Sequence, residues 1–240
     1  MANDYFQFKQ FTIWHQHCAM KVTTDACLLG ALPLPSSLPN RMRILDIGTG
    51  TGLLSLMKAQ LHPESTIDAI EIDPLAAAQA ADNAAKSPFA NRIQVMQSDA
   101  RLFKPLELYD AIICNAPFHE GQLASGTHAK DLAHHSTELT YAQVLNLAAQ
   151  WIHNQGVIAL LLPHYRTRDV YELAAMQALS VTKQLEIRQH PSKAFFRTIL
   201  YFSRQVPANT VEIESLDICD ANFAFTPAFH DLLRPFYLKL

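Results

Sequence analysis

The sequence is short of the features that would place it in a membrane or in a secretory pathway. No apolar run approaches the roughly 20 residues of a membrane-spanning helix, and residues 1–6 lack the charged and apolar regions of a signal peptide. Its four cysteines form no Cys-x-x-Cys pair, so we interpret them as reduced packing residues. From the 240 residues we expect one α/β domain with additions. We expect it to be cytoplasmic and monomeric.

The sequence also lacks an overall basic charge, since the formal net charge is −3. The segment 183–204 differs, because it carries five basic residues against the single acid Glu186, a net of +4. The five bases are Lys183, Arg188, Lys193, Arg197 and Arg204. Phe195 and Phe196 are interleaved with them. A local basic face suits a polyanionic partner, but a charged sheet edge gives the same pattern, and the sequence leaves both open.

Glycine is scarce, yet three of only seven glycines occupy alternate positions of the stretch 48–52. The preceding residues 43–47 have the pattern of a buried strand, and a helical pattern begins at Leu53. Glycine is needed where φ is positive or where the backbone must touch a ligand. Strand, glycine turn and helix together open a nucleotide-binding α/β fold. A dinucleotide fingerprint would have its third glycine at position 53.

The actual spacing, Asp46 followed by Gly48, Gly50 and Gly52, resembles the first motif of class I S-adenosylmethionine (SAM) methyltransferases. This resemblance implies a Rossmann-like, seven-stranded, mostly parallel sheet. It also implies SAM as the cofactor, with the four residues along its methionine and ribose. A NAD enzyme and a glycine turn without a ligand are the alternatives.

Acidic residues follow the next two predicted strands. Glu71 lies about 20 residues past the glycine turn, where nucleotide-binding folds place an acid on the ribose hydroxyls. Asp73 is the competitor, but it precedes Pro74 and an alanine-rich helix, which is typical of an N-cap. The methyltransferase resemblance implies that Asp99 faces the adenine amine of SAM. The alternative is a turn-forming aspartate.

The predicted fourth strand, 109–114, leads into Asn115, Ala116, Pro117 and Phe118. These four residues resemble the Asn-Pro-Pro-Tyr/Phe motif of amino-methylating enzymes, with Ala116 in place of the first proline. The resemblance implies that they form the catalytic site. The Asn115 side chain and the backbone carbonyl of residue 116 would accept hydrogen bonds from the amine, and Phe118 would stack on a flipped base. A proline turn with a core phenylalanine is the alternative.

Two N-terminal stretches carry a narrower resemblance. Residues 6–11 (Phe-x-Phe-Lys-Gln-Phe) and 18–25 (Cys-Ala-Met-Lys-Val-x-Thr-Asp) resemble the signature of bacterial tRNA adenine-N6 methyltransferases that act on adenine 37 of valine tRNA. This resemblance implies that Lys21, Thr24 and Asp25 lie beside SAM. A helix start with Asp25 as its cap is the alternative.

The same resemblance covers nearly the whole chain. It implies that segment 1–40 packs on the SAM site, that 41–240 form the methyltransferase domain, and that the partner is the anticodon loop of tRNA. No metal is expected, because the histidines of the polar stretch 119–140 match no common ligand spacing. Protein glutamine N5-methylation and a non-catalytic SAM- or RNA-binding role are the other functions left open.

Helical patterns are also predicted over 26–32, 139–152 and 170–179, and strand patterns over 65–72, 92–96, 157–162, 181–187 and 198–203. The last two strands are expected to form a hairpin-like edge. An aromatic tail, 225–240, is expected to present a packed helical face.

Overall fold

The computed structural model describes residues 4–16, 18, 21–115, 139–205 and 210–240. Its strands are β1 (Tyr5–Gln7), β2 (Thr12–Trp14), β3 (Arg43–Ile47), β4 (Thr66–Glu71), β5 (Ile93–Gln97), β6 (Tyr109–Cys114), β7 (Ile152–Pro163), β8 (Ser180–Arg188), β9 (Arg197–Ser203) and β10 (Glu212–Asp217). Its α-helices are α1 (Thr24–Ala31), α2 (Leu53–Leu61), α3 (Pro74–Ala85), α4 (Tyr141–Trp151), α5 (Thr167–Met176) and α6 (Pro227–Leu233). No α-helix in these ranges combines the length and apolarity that a membrane crossing requires.

In the described residues the central sheet has eight strands, one more than the seven expected, in the order β10-β8-β9-β7-β6-β3-β4-β5. All neighbouring pairs are parallel except those of β9, which is antiparallel to both β7 and β8. The mostly parallel α/β sheet is therefore confirmed. Strands β3 and β6 have the predicted bounds.

The expected edge of the sheet needs a correction. Strand β9 lies inside the sheet, and β10, which the sequence analysis did not predict, pairs in parallel with β8 and forms the edge. The apolar pattern of β10 is weak, since Ile213 is 64% exposed and Leu216 is the one buried residue of the strand. The helical face predicted for the tail is also shorter, because α6 ends at Leu233.

Helices cover both faces of the sheet. Successive residues of a strand point to opposite faces, so Ile44 joins the core formed with α1, α2 and α6, whereas Leu45 joins the core formed with α4 and α5. Strands buried on both faces are typical of parallel sheets. The polar groups of the site are consequently confined to the strand ends.

The N-terminal hairpin β1–β2 is fastened to the rest of the protein at two places. The backbone N–H of Lys9 donates to the carbonyl of Phe236 at 2.7 Å, next to the aromatic tail. On α3, the buried Asn83 accepts from the N–H of Trp14 at 3.0 Å. The Asn83 amide donates to the carbonyls of Trp14 at 2.8 Å and Thr51 at 2.9 Å. This side chain therefore joins β2 to the glycine turn.

We predict that Asn83→Ala lowers the free energy of unfolding by about 2–4 kcal/mol, because it leaves several buried backbone groups without partners. Asp82→Ala on the same helix is the control, since its side chain is 64% exposed and pairs only with Lys86. Asp82→Ala is expected to lower the free energy of unfolding by less than about 0.5 kcal/mol. Urea unfolding followed by circular dichroism measures both. Equal losses in the two variants would contradict the role given to Asn83.

Candidate active site

Strand register brings the predicted site residues to one edge of the sheet. Cys114 pairs with Ile47, Ile47 with Ile70, and Ile70 with Met96. The residues that follow these four are Asn115, Gly48, Glu71 and Gln97. Neighbouring strands lie about 4.8 Å apart, so the asparagine, the glycine turn and the glutamate lie side by side. The connections turn in opposite directions on the two sides of β3, which is where open α/β sheets bind their ligands.

The three glycines of the turn have positive φ angles of 69°, 55° and 81°. The N–H of Gly48 donates to the carbonyl of Ile70 at 2.9 Å, which seats the turn on β4. A Cβ added at Gly50 would meet nothing within 4 Å, so this backbone faces open space. A Cβ at Gly52 would instead lie 3.4 Å from that of Ala80 on α3. Gly50 thus suits contact with a ligand, whereas Gly52 allows close helix packing.

Glu71 faces the glycine turn. One of its carboxylate oxygens accepts from the N–H of Gly50 at 2.9 Å, and the other accepts from the N–H of Asp73 at 3.0 Å. A carboxylate offers about four lone-pair positions, so Glu71 keeps acceptor capacity. The Asp73 side chain accepts from the N–H of Ala76 at 2.8 Å and caps α3, which confirms its interpretation as an N-cap.

Asp46 lies beneath the turn and is fully buried. Its Oδ2 accepts from the hydroxyls of Thr49 at 2.6 Å and Ser55 at 2.7 Å. Burial raises the pKa of this carboxyl group to about 6. The structure gives Asp46 the role of bracing the turn, and its contact with SAM stays a prediction. Sequence analysis missed the two hydroxyl residues, although a buried acid beside a glycine turn needs such donors.

Lys58 is a second buried charge that sequence analysis missed. It is 0% exposed on α2, and its ammonium group donates to the carbonyls of Leu29 at 3.0 Å and Leu32 at 2.5 Å. Burial lowers the pKa of this amine to about 7. The side chain joins the C-terminal end of α1 to α2, and therefore holds the N-terminal segment against the helix that follows the glycine turn.

Asp99 lies two residues past the end of β5, but its carboxylate is already engaged. Oδ1 accepts from the backbone N–H and from Nε of Arg101, both at 2.9 Å. Oδ2 accepts from Nε at 3.0 Å and Nη2 at 2.6 Å of the same arginine. These bonds lower the pKa of the Asp99 carboxyl group. They use its acceptor positions, so the predicted contact with the adenine amine requires Arg101 to move.

The N-terminal residues assigned to the SAM site lie around the start of α1. Thr23, rather than Asp25, is the N-cap of this helix, so the alternative interpretation of Asp25 is wrong. Asp25 instead accepts from Nε of Arg197 at 2.7 Å, while Lys21 and Thr24 are exposed.

Cys18 shows how close this segment comes to the glycine turn. Burial, reinforced by the negative charge of Glu71 and then of Asp73, raises the pKa of the Cys18 thiol to about 11. The carboxylate of Glu71 therefore lies within electrostatic reach of the stretch that carries the narrower family resemblance.

The basic segment 183–204 is largely neutralised in the folded protein. Three of its bases form ion pairs with acids outside the segment: Lys183 with Glu214 at 2.9 Å, Arg188 with Asp217 at 2.6 Å, and Arg197 with Asp25 at 2.7 Å. The Arg204 guanidinium binds the carbonyl of Ala149, and Lys193 is exposed. The net of +4 thus does not translate into a basic face of the same charge.

Asn115 is partly exposed at the end of β6. The other three residues of its motif, Ala116, Pro117 and Phe118, lie outside the described residues, as do the histidines of the stretch 119–138. Within the described ranges, no group of three or more His, Cys, Asp or Glu residues could hold a metal ion. Of the four motif residues the structure therefore locates Asn115, and the catalytic role of the motif stays a prediction.

The buried Asp46 predicts a specific pH dependence. The unfolded carboxyl group titrates near about 4, whereas burial raises its pKa in the fold to about 6. Between these values the native state binds more protons, so Asp46 makes the free energy of unfolding fall as the pH rises. The contribution amounts to about 3 kcal/mol. In urea unfolding from pH 4 to pH 7, Asp46→Asn is expected to remove this fall, and parallel curves for variant and wild type would contradict it.

The residues of this edge fit SAM. The open backbone at Gly50 gives a ligand room to approach, and Glu71 offers unused acceptors for ribose hydroxyls.

Solved structures share the fold. An Agrobacterium tumefaciens protein described as a predicted O-methyltransferase aligns with a TM-score of 0.64 at 19% identity, over 88% of this chain and 96% of that one. A Listeria monocytogenes protein assigned to the class I SAM-dependent methyltransferases aligns with a TM-score of 0.58 at 16% identity, over 80% of this chain and 62% of that one.

Sequence comparison is more specific. The model of the methyltransferase small domain family matches residues 24–146. The tRNA1(Val) (adenine(37)-N6)-methyltransferase of Yersinia enterocolitica is 39% identical over 98% of this chain and 92% of its own length. The enzyme of the same name from Dyadobacter fermentans is 39% identical over 99% of this chain and 98% of its own length. The one from Bacteroides thetaiotaomicron is 36% identical over the full length of both chains. The chain therefore belongs to the SAM-dependent methyltransferases and, among them, to the tRNA1(Val) (adenine(37)-N6)-methyltransferase family.

Proposed function

We propose that this protein transfers the methyl group of SAM to N6 of adenine 37 in valine tRNA. The observation that carries the proposal is the register that sets Asn115 beside the glycine turn. An acceptor for an amine thereby lies next to the proposed binding site of the methyl donor. The full-length relatives named for this reaction support the choice of substrate.

Each group at this edge of the sheet has a proposed role in the reaction. SAM, when bound, supplies a methyl group that is electrophilic because it is attached to a sulfonium. The glycine turn would lie along the methionine and ribose, and Glu71 would accept hydrogen bonds from the ribose hydroxyls. Asp46 braces the turn from below. Asp99, once released by Arg101, is the acceptor assigned to the adenine amine of the cofactor.

Asn115 is proposed to make the target amine a better nucleophile. The N6 amine is a poor nucleophile because its lone pair is delocalised into the purine ring. The side-chain oxygen of Asn115 and the carbonyl of Ala116 would accept hydrogen bonds from its two N–H groups and favour the geometry in which the lone pair is available. After transfer the nitrogen is acidic, so its proton can pass to water without a general base. Phe118 is proposed to stack on the extruded adenine.

The N-terminal segment 1–40 is proposed to close one side of the SAM site, with Lys21, Thr24 and Asp25 along it. The electrostatic effect of Glu71 on Cys18 supports this placement. The ion pair of Asp25 with Arg197 supports it further, because it fixes the start of α1 to the sheet.

The proposed partner is the anticodon loop, since a base in a loop is extruded at lower cost than a base in a duplex. A reaction on tRNA places the protein in the cytoplasm. We propose that it acts as a monomer and without a metal ion.

Incubation with methyl-labelled SAM, followed by separation of RNA from protein, tests the proposed function. Label in valine tRNA and at adenine 37 is the expected result. Label in the protein fraction would instead indicate glutamine methylation of a protein substrate. SAM binding without transfer to either fraction would indicate a non-catalytic role.

Glu71→Ala is predicted to weaken SAM binding by about 10- to 100-fold, because it removes the ribose acceptor and the bond to the Gly50 N–H. The matched control is Asp73→Ala, which removes the cap of α3 and is expected to cost about 1 kcal/mol of stability with SAM affinity unchanged. Titration calorimetry measures both affinities. Unchanged binding by Glu71→Ala would remove this residue from the site.

Asn115→Ala is predicted to nearly abolish methyl transfer while leaving SAM affinity intact, because its acceptor acts on the substrate amine. Ala116→Pro is the control within the motif. It retains the backbone carbonyl and restricts φ, so we expect activity equal to or modestly above that of the wild type. Single-turnover rates with tRNA, measured beside calorimetric SAM affinities, separate the two effects. Wild-type turnover by Asn115→Ala would contradict the acceptor mechanism.

A further inference from the structure

An open surface pocket of about 670 Å³ lies at the carboxyl end of β7, outside the site described above. Six residues line it: His164, Tyr165, Thr167, Arg168, Tyr171 and Glu172. Strand β7 is the sheet neighbour of β6, and Leu160 pairs with Cys114, so Asn115 is level with Leu161. The last residue of β7, Pro163, is two residues further along. Strand geometry therefore separates Asn115 from Pro163 by about 8 Å, and the first residue that lines the pocket, His164, follows Pro163 directly.

Two aromatic rings of this pocket are held by buried polar partners. Nδ1 of His164 lies 2.9 Å from the hydroxyl oxygen of Thr198, which is 0% exposed on β9. The Tyr171 hydroxyl donates to the side-chain oxygen of Gln184 at 2.7 Å, and Gln184 is 7% exposed on β8. These bonds fix both rings without a contribution from a ligand, which is the preorganisation expected of a binding site.

Two other groups of the pocket are free to meet a ligand. Tyr165 is 73% exposed, and the Arg168 side chain is 90% exposed. The Arg168 guanidinium lies 3.5 Å from the carboxylate of Glu172, whose side chain is 70% exposed. Exposed pairs of this kind contribute little stability, so exchanging the carboxylate for a phosphate costs little. The proposed methyl transfer uses neither Tyr165 nor Arg168.

We propose that this surface pocket, the β7 pocket, binds a loop nucleotide that flanks the target adenine. The proposal rests on the proposed function, because it assumes an RNA substrate at Asn115. The base stacks on the exposed ring of Tyr165, and Arg168 contacts the phosphate. Aromatic side chains beside a guanidinium are what proteins use to hold single-stranded nucleotides. The position of the pocket beside the end of β6, where Asn115 lies, suits a neighbouring nucleotide.

Stacking is tested by two substitutions at one exposed position. Tyr165→Ala is expected to weaken binding of valine tRNA by about 5- to 100-fold, as loss of a base-stacking ring does. Tyr165→Phe keeps the ring and is expected to bind like the wild type. SAM affinity is expected to be unchanged in both. Equal tRNA affinity of Tyr165→Ala and wild type would overturn the stacking role.

The phosphate contact is tested by salt dependence. Arg168→Ala is expected to reduce the slope of log affinity for tRNA against log salt by about one. Lys86→Ala is the matched control, because Lys86 also forms an exposed ion pair with an acid four residues away, Asp82 at 3.1 Å on α3. This control is expected to keep the wild-type slope. Equal slopes for the two variants would overturn the phosphate contact.

A set of anticodon stem-loops, each with one abasic nucleotide in the loop, identifies the bound nucleotide. One position next to adenine 37 is expected to weaken binding by the wild type but to have no further effect on Tyr165→Ala. Additive losses at every position would overturn the β7 pocket while leaving the proposed function intact. A wild-type protein that leaves intact valine tRNA unmethylated would overturn both.

Discussion

The register of four parallel strands is the constraint on which the site depends. Backbone hydrogen bonds align β6, β3, β4 and β5 so that their last residues end at one edge. Residues far apart in the sequence, Asn115, Gly48 and Glu71, thereby become neighbours. Because the strands are buried on both faces, a slip of one residue would turn their apolar side chains to the wrong core. The packing of the cores therefore also fixes the geometry of the site.

Hydrogen bonds within the protein hold the residues of this edge in place. The hydroxyls that hold Asp46 stabilise the glycine turn from below, and the Gly50 N–H fixes the orientation of Glu71. Asn83 joins the N-terminal hairpin to the same turn. Each bond replaces one that the polar group would make with water in the unfolded chain. The protein thus has its acceptors largely in place before a ligand arrives, apart from Asp99, which Arg101 occupies.

The sequence predicted what local patterns encode: the bounds of β3 and β6, the positive-φ glycines and the cap at Asp73. It did not predict contacts between distant residues. The partners Asp25 and Arg197 lie 172 positions apart, so the charge count over 183–204 could not show that its bases are paired. Strand β10 was missed because four of its six residues are exposed. Pairing with β8, rather than an apolar pattern, makes it a strand.

The central claim is that the carboxyl edge delivers a methyl group to one exocyclic nitrogen of one base. Nucleoside digestion of methylated valine tRNA, followed by mass spectrometry against standards, tests this most directly. The account predicts N6-methyladenosine as the product and its complete loss from tRNA in which adenine 37 is replaced by guanine. Methylation of a ring nitrogen, of a ribose hydroxyl or of another position would contradict it, because the proposed role of Asn115 is to accept a hydrogen bond from an exocyclic amine.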